Sequence, residues 1–431
     1  MKTKRYLLYT MFLAGLAMGL PASARTYTLN ECLTEAVSNN IKLRNANNQI
    51  AISAEQRKEA LTKYFPTISA SGMGFMSDQN FVQMNVMGMG LSYVKNGIVA
   101  GVTAMQPVFA GGLIVNGNKL AKVGEESAQL TRGLSENEVR LATEQYYWQI
   151  VMLKEKLTTL AQLDKQLEQV RKDAQTAVDA GIRNRNDVLQ VQLRQNEVKT
   201  SRIQVENAES TVKDLLAQIM GHPNEDIQIS DGLSQSTGKY NLPENPQQFY
   251  QSPEASLGQT NEYRLLTKQV EAGKLAYKMA VGKNLPTVAV GGGFIYNNVM
   301  DKSQNNLVGM VTVSVPISSW WGGSHDMKRQ KIQVENAIND KQNQGQMLII
   351  KMRKAWNDMN DAYKQVGIAQ QSIATSEENL RLNTDYYHAG TATITDLLNA
   401  QTLYQQSRDK YVESYTDYEV KKRAYLQATG R

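Results

Sequence analysis

The sequence has very little cysteine and histidine. Its single cysteine, Cys32, excludes an intrachain disulfide framework and a cluster of thiolate metal ligands. The histidines, His222, His325 and His388, are scattered, and neither a His-Glu-x-x-His motif nor a carboxylate pair accompanies them. We therefore expect no catalytic residues, no metal site and no cofactor.

Long apolar runs are also scarce in the chain. Its mean hydropathy is −0.45 and 41% of its 431 residues are hydrophobic, which excludes a bundle of membrane helices but leaves enough apolar surface for a core. The net charge of +6 falls to +3 without residues 1–24, which hold three bases and no acid. This charge is too small to indicate nucleic-acid binding.

Residues 1–24 have the features of a secretory signal peptide. Basic residues precede an apolar run over 7–20, and Ala22-Ser23-Ala24 forms an A-x-A cleavage site. The sequence therefore predicts an exported protein that loses this segment.

Proline is absent from two long blocks, residues 108–222 and 317–431, each of 115 residues. Proline interrupts helix interiors, so these blocks predict two copies of a long helical unit. The first contains about 69 residues between Gly112 and Ala180, which would form a helix of about 100 Å at 1.5 Å per residue.

An internal duplication organises the chain. With an offset of 220 residues the sequence repeats Lys58, Lys63 and Pro66-Thr67, and with an offset of 209 residues it repeats Pro107, Ala180-Gly181, Asp187 and Gly221. We expect a first repeat at 25–221, a joining segment at 222–255 and a second repeat at 256–431. Each repeat should run helix, strand, loop, strand, long helix, turn and return helix.

Four uncharged segments predict strands at about 65–77, 97–110, 286–297 and 306–318. Apolar and polar residues alternate in them, and their lengths suit tilted strands that cross a bilayer, which need about 9–11 residues. The alternative is a soluble antiparallel sheet, but such sheets usually carry charge on the exposed face. Lipid tolerates no open sheet edge, so three copies would complete a barrel of twelve strands.

The predicted helices have matching lengths. The helix before each strand pair, about 29–63 in the first repeat, and the return helix, about 183–220, are together close in length to the long helix. We therefore expect each long helix to pack against two shorter helices placed end to end. Tyrosines recur every seven residues in the last helix, and we expect them to serve packing; they are Tyr404, Tyr411, Tyr418 and Tyr425.

The chain resembles the TolC-like outer-membrane efflux family. The resemblance covers the mature sequence and rests on Thr28-Leu29-Asn30-Glu31, on Pro66-Thr67 and Pro286-Thr287, and most strongly on Ala389-Gly390-Thr391 followed by Ile394-Thr395-Asp396-Leu397-Leu398. It implies a mainly α homotrimer in which a transmembrane β-barrel of twelve strands, four from each chain, continues into a long α-helical coiled-coil periplasmic tunnel.

This resemblance also implies a function and partners. The chain would be the passive outer-membrane exit duct of a tripartite efflux or type I secretion system, and not an enzyme. Its partners would be outer-membrane lipid, a periplasmic adaptor (membrane fusion) protein and an inner-membrane pump of the RND or ABC type, with no nucleic acid. The alternative is a coiled-coil envelope stalk or adhesin-like structural protein, in which four duplicated uncharged strands would have no purpose.

In this family, side chains at the helix turns close a periplasmic aperture. The matching positions are Tyr387, Asp396 and, in the first repeat, Asp187. Two positions depart from the family, because its arginine falls on Ala392 and a second pore-lining aspartate falls on Asn399.

The first-repeat turn carries Arg183 and Arg185. We predict that one of them pairs with Asp396 across the aperture. Two alternatives remain open: both arginines are solvated turn residues, and Asp396 caps the return helix.

Two further sets of residues follow from the resemblance. The helix turns at Gly181, Gly390 and Thr391 would contact the adaptor. Trp320 and Trp321 follow the fourth strand and suit the periplasmic membrane interface, although they could instead stabilise a helix start.

Overall fold

A computed structural model describes residues 25–79, 82–86, 89–93, 95–223, 225–230, 233, 240–299, 303–317 and 319–431. The predicted signal peptide, residues 1–24, lies outside the described residues. The described chain is mainly helical, which confirms the predicted class.

The first repeat contains β1 (Arg25–Tyr27), α1 (Leu29–Asn39), α2 (Ile41–Thr62), β2 (Thr67–Met76), β3 (Val82–Val86), β4 (Met89–Tyr93), β5 (Asn96–Ala110), α3 (Leu113–Asp179) and α4 (Arg185–Ile219). The joining segment contains β6 (Ile227–Ile229), which pairs in parallel with β1, and a 3-10 turn (Pro246–Phe249). The second repeat contains α5 (Pro253–Ser256), a 3-10 turn (Leu257–Gln259), α6 (Asn261–Gly282), β7 (Thr287–Asn298), β8 (Gln304–Ser314), α7 (Ser319–His388) and α8 (Ile394–Ala428).

Four strands form one antiparallel sheet in the order β2-β5-β7-β8. Thr67 pairs with Met105 in the first repeat, and Thr287 pairs with Ser314 in the second. The offsets of 220 and 209 relate these two pairs, so both repeats have the same strand register. The repeats join where β5 pairs with β7, and β2 and β8 form the edges of the sheet.

The fourth strand differs from its predicted span of 306–318. β8 begins at Gln304 and ends at Ser314, ahead of Pro316. Proline has no N–H to donate to a neighbouring strand, which accounts for this end.

Each long helix packs against two shorter ones. α3 contacts α2 and α4, and α7 contacts α6 and α8. α3 also contacts α6 and α8, so the second repeat packs beside the first along the length of the helices. These contacts confirm the predicted end-to-end arrangement of short helices beside each long one.

The predicted helix at 29–63 is interrupted at Asn40, which has extended backbone angles (φ −61°, ψ 130°). The Asn40 amide nitrogen donates to the carbonyl oxygen of Ile219 at 2.8 Å, and its oxygen accepts from the backbone N–H of Lys42 at 2.8 Å. One side chain therefore starts α2 and holds the end of α4. The break depends on a contact 179 residues away, which a local sequence pattern cannot reveal.

A strap, residues 240–251 of the joining segment, lies against α8 through the heptad tyrosines. The hydroxyl of Tyr411 donates to the Asn241 carbonyl at 2.7 Å, and that of Tyr418 donates to the Glu244 carbonyl. The Tyr425 hydroxyl accepts from the Gln251 N–H at 2.8 Å. These tyrosines are buried, which confirms their packing role, and burial raises the pKa of Tyr411 and Tyr418 above the ordinary value.

We expect Tyr411→Phe to lower the free energy of unfolding by about 1 kcal/mol, because the hydrogen bond to the Asn241 carbonyl is lost while the ring stays packed. The measurement is thermal unfolding in detergent together with the rate of proteolysis within the strap. Tyr404→Phe is the matched control, since the Tyr404 hydroxyl bonds no described residue. Equal effects of the two substitutions would contradict the role of the hydrogen bond.

Candidate functional site

The two long helices end in equivalent turns. Gly181 and Gly390 adopt left-handed backbone angles, with φ of 72° and 78°. The residue after each glycine bonds back to the helix: Ile182 N–H donates to the Ala177 carbonyl and Thr391 N–H to the Tyr386 carbonyl, both at 2.9 Å. This pattern is the Schellman motif, in which glycine avoids the strain that a Cβ atom brings.

The two return helices begin differently. Asn184 caps α4, where its side chain accepts from the Asn186 N–H at 3.0 Å. Thr393 caps α8 in a capping box with Asp396: the Asp396 N–H donates to the threonine hydroxyl at 3.2 Å, and the Thr393 N–H donates to the carboxylate at 3.0 Å. Asp396 therefore caps its own helix, whereas Asp187 lies in the first turn of α4 without that role.

Bonds from Thr393 also change the acidity of Asp396. The threonine hydroxyl and then its backbone N–H donate to the carboxylate, and both lower the pKa of Asp396 below its ordinary value. The charged form is thus favoured at the first turn of α8, where the helix dipole also favours an anion.

Arg183 connects the two turns. Its Nη2 donates to the carbonyl oxygens of Tyr387 at 3.2 Å and Ala392 at 3.4 Å. The guanidinium carbon also lies 5.0 Å from the centroid of the Tyr387 ring, a distance typical of a cation–π contact. The offset of 209 residues places Arg183 at the position equivalent to Ala392, onto which the resemblance maps an arginine.

Tyr387 is buried at this contact, with 6% of its surface exposed. Its hydroxyl is buried without a hydrogen-bond partner among the described residues. Burial, followed by the nearby charge of Asp187, raises the pKa of Tyr387 above its ordinary value, although Arg183 opposes the shift. The phenol therefore stays neutral and can donate a hydrogen bond.

The predicted pairing of an arginine with Asp396 does not occur within the described chain, where neither Arg183 nor Arg185 forms an ion pair with that carboxylate. Arg185, Asp396 and Asn399 are exposed. The pairing stays a prediction for contacts between chains.

Sequence reasoning missed the contact of Arg183 with Tyr387, and also a bond of 3.0 Å from the Thr395 hydroxyl to Gln190 between the return helices. The repeat offset, which aligns Arg183 with Ala392, was the available signal.

An apolar cluster supports both turns from inside the hairpins. It joins residues of α3, α4 and α7 to the first turns of α8, and its buried members include Leu163, Leu167, Val191, Tyr387, Ile394 and Leu397. The side chains at the turns therefore project from well-packed helices.

The two faces of the four-stranded sheet differ in polarity. Paired positions place Ile68, Val102, Phe294, Leu307 and Val311 on the first face. The opposite face carries the serines and threonines of the strands, which include Thr67, Ser69, Ser71, Thr103 and Thr312, together with apolar residues such as Met73, Phe75, Ile295 and Val308. None of the four strands contains a charged residue, and Leu307 is 87% exposed. This alternation is typical of strands that face lipid on one side and a lumen on the other.

Trp320 and Trp321 lie in the first turn of α7, just beyond the end of β8. The Trp320 indole nitrogen donates to the Asn284 carbonyl at 3.0 Å, and Trp321 is 75% exposed. Both tryptophans are thus at the junction of sheet and helices.

Two observations concern the described residues as a whole. None of the helices in the described ranges is long and apolar enough to cross a membrane. No group of three or more His, Cys, Asp and Glu residues in those ranges could hold a metal ion.

The sequence matches the family model of outer membrane efflux proteins over residues 32–222 and 265–431. A comparison with curated proteins gives no match. This match confirms the resemblance drawn from the motifs, and with it an outer-membrane location and a role in efflux and not in catalysis.

Solved channel structures share the fold. Superposition on CusC gives a TM-score of 0.80 at 14% identity and covers 93% of this chain and 92% of that one. The outer membrane protein VceC of Vibrio cholerae gives 0.78 at 12% identity, with 93% and 96% covered. The open state of the MtrE outer membrane channel of Neisseria gonorrhoeae gives 0.75 at 15% identity, with 93% and 88% covered. With the family model matched over most of its length, the chain belongs to the outer membrane efflux protein family.

Proposed function

We propose that this protein is the exit duct of a tripartite efflux or type I secretion system, through which substrates pass without catalysis by the chain. The observation that carries the proposal is a two-faced, uncharged sheet that continues directly into helices of 67 and 70 residues. At 1.5 Å per residue each helix is about 100 Å long, which suits a conduit that extends far from the membrane. An inner-membrane RND or ABC-type pump would supply the substrate and the energy.

The duct would be a homotrimer. In the described chain β2 and β8 each pair on one side only, and open edges are not tolerated in lipid. Strand direction alternates across the four strands, so β8 of one copy is antiparallel to β2 of the next. Three copies would then close a barrel of twelve antiparallel strands.

The outer helices support the same assembly. Helices α2 and α4 lie at one side of the chain and α7 at the other. Both sides expose large apolar side chains, which include Ile52, Leu193 and Ile203 on the first and Ile350 and Ile368 on the second. Packing of these sides between copies would bury them and extend the barrel into a helical tunnel in the periplasm.

The turns would form the aperture at the far end of this tunnel. Arg183, held over Tyr387, ties the α3–α4 turn to the α7–α8 hairpin, and Asp187 lies beside the same ring. Arg185, Asp396 and Asn399 are exposed at the turns and available to a neighbouring chain. We therefore assign the closed state to Arg183 with Tyr387 inside each chain, and to Arg185, Asp396 and Asn399 between chains.

The remaining predicted positions define two contact regions. The turns at Gly181, Gly390 and Thr391 are the exposed tips and would meet the periplasmic adaptor protein. Trp320 and Trp321, at the opposite end of the helices, would lie at the periplasmic surface of the outer membrane.

We expect the double substitution Arg183→Ser and Arg185→Ser to raise single-channel conductance, because it removes the tie between the turns. The measurement is conductance of purified protein in planar bilayers, with each single substitution tested separately. Each single substitution should raise the conductance by less than the double one, since Arg183 acts inside each chain and Arg185 between chains. Unchanged conductance in the double variant would reject the gate, and the absence of any pore would favour a structural stalk.

A second prediction tests the faces of the sheet. Val311→Arg places a charge on the apolar face and should destabilise the membrane-inserted state by about 2–4 kcal/mol near the bilayer centre. Thr312→Arg, one residue away on the opposite face, is the matched control and should fold normally while it alters ion selectivity. Refolding into lipid vesicles measures both, and equal tolerance of the two substitutions would contradict the assignment.

A third prediction concerns pH at the aperture. Because the folded-state pKa of Asp396 is lowered, its stabilisation of α8 is present above about pH 4 and is lost as the pH falls through the folded-state pKa. Hydrogen exchange of the first-turn amides of α8, corrected for intrinsic rates, should show this loss of protection. Asp396→Asn should remove the pH dependence and Asp187→Asn should leave α4 unaffected, whereas an identical profile in Asp396→Asn would contradict it.

A further inference from the structure

The internal duplication supplies a template for the contact between copies of the chain. Within one chain the second strand of the first repeat, β5, pairs with the first strand of the second repeat, β7. In an assembly of copies, β8 of one chain and β2 of a neighbour would be related in the same way, because β8 is the second strand of a repeat and β2 is the first. We call the first contact the inner seam and the second the outer seam.

The inner seam has a defined register. Thr103 pairs with Gly293, and Met105 pairs with Gly291. Both repeats have the same register within their own strand pairs, so the two seams can be related by the same offsets: 209 for the second strand and 220 for the first.

We propose that β8 of one chain pairs with β2 of a second copy so that Ser314 faces Ser71, Thr312 faces Met73 and Met310 faces Phe75. These positions follow when the offsets are applied to the inner seam. The inference rests on the trimer of the proposed function, and it adds which residues meet. The open edge of the sheet is thus paired with another copy of this chain, and in this one register.

The faces of the sheet are consistent with this register. In this register Val311 lies beside Gly74 and Val313 beside Gly72, all on the face that carries Ile68 and Leu307. Thr312 and Met73 lie on the opposite face. A shift by one residue would put every side chain of one strand on the wrong face, so only shifts by an even number compete.

The inner seam is a template for the strands only and does not apply where the strands meet the helices. In the inner seam Gly111 lies so close to Gly282 that a Cβ atom on Gly111 would be 2.2 Å from the Gly282 carbonyl oxygen. The equivalent residues of the outer seam are Trp320 and Thr62, whose side chains do not allow that approach. The outer seam must therefore be wider at the membrane boundary, and the register applies to the strands alone.

Cysteine cross-linking of the full-length protein tests the register. Thr312→Cys with Met73→Cys in one chain should give a covalent trimer on oxidation or with a short thiol-specific cross-linker. The native Cys32 is buried and serves as background in every variant. Each single cysteine variant should give no covalent trimer.

The matched control is Thr312→Cys with Ser69→Cys, on the same face of β2. It lies four residues away from the proposed partner, about 13 Å at 3.3 Å per residue, and should not cross-link. Native mass spectrometry of the unmodified protein reports the trimer independently. The register would be overturned, and the trimer retained, if trimers form but the control pair cross-links. The same conclusion would follow if trimers form and neither pair cross-links. The absence of trimers would instead reject the assembly in the proposed function.

Discussion

Backbone hydrogen bonding at the edges of a four-stranded sheet is the constraint on which the rest of this structure depends. In lipid, an unpaired N–H or carbonyl group has no water to bind, so β2 and β8 cannot stay open. In the proposed trimer, pairing of the edges between copies would fix the number of strands and bring the outer helices of neighbouring chains together. The proposed helical tunnel would in this sense be a consequence of closing the sheet.

The helices meet a different requirement, which is length. α3 and α7 are continuous, whereas their partners are divided, and the division in the first repeat is held by Asn40. Because each long helix packs against two shorter helices, the chain can cross from one end of the structure to the other and the long helix is still covered along its length. The turns at the far end share glycine geometry but differ in their caps, so the duplicated hairpins are not equivalent at their tips.

Much of this architecture could be predicted from sequence because its signals are periodic or repeated. Proline-free blocks gave the helix lengths, alternation without charge gave the strands, and the offsets gave the duplication. The contact of Arg183 with Tyr387 could not be predicted in the same way, because it joins residues 204 positions apart. The break at Asn40 and the bonds between the strap and the tyrosines also depend on tertiary proximity, and the heptad pattern alone indicated packing without its hydrogen bonds.

The strap has a consequence for symmetry. A chain with two repeats has only one joining segment, so a trimer with six helical hairpins has three straps. All three tyrosine bonds to each strap come from α8. In the proposed trimer the six hairpins would thus be alike in outline but not in restraint, because a strap would lie against only three of them. Dilation of the tunnel would accordingly follow three-fold and not six-fold symmetry.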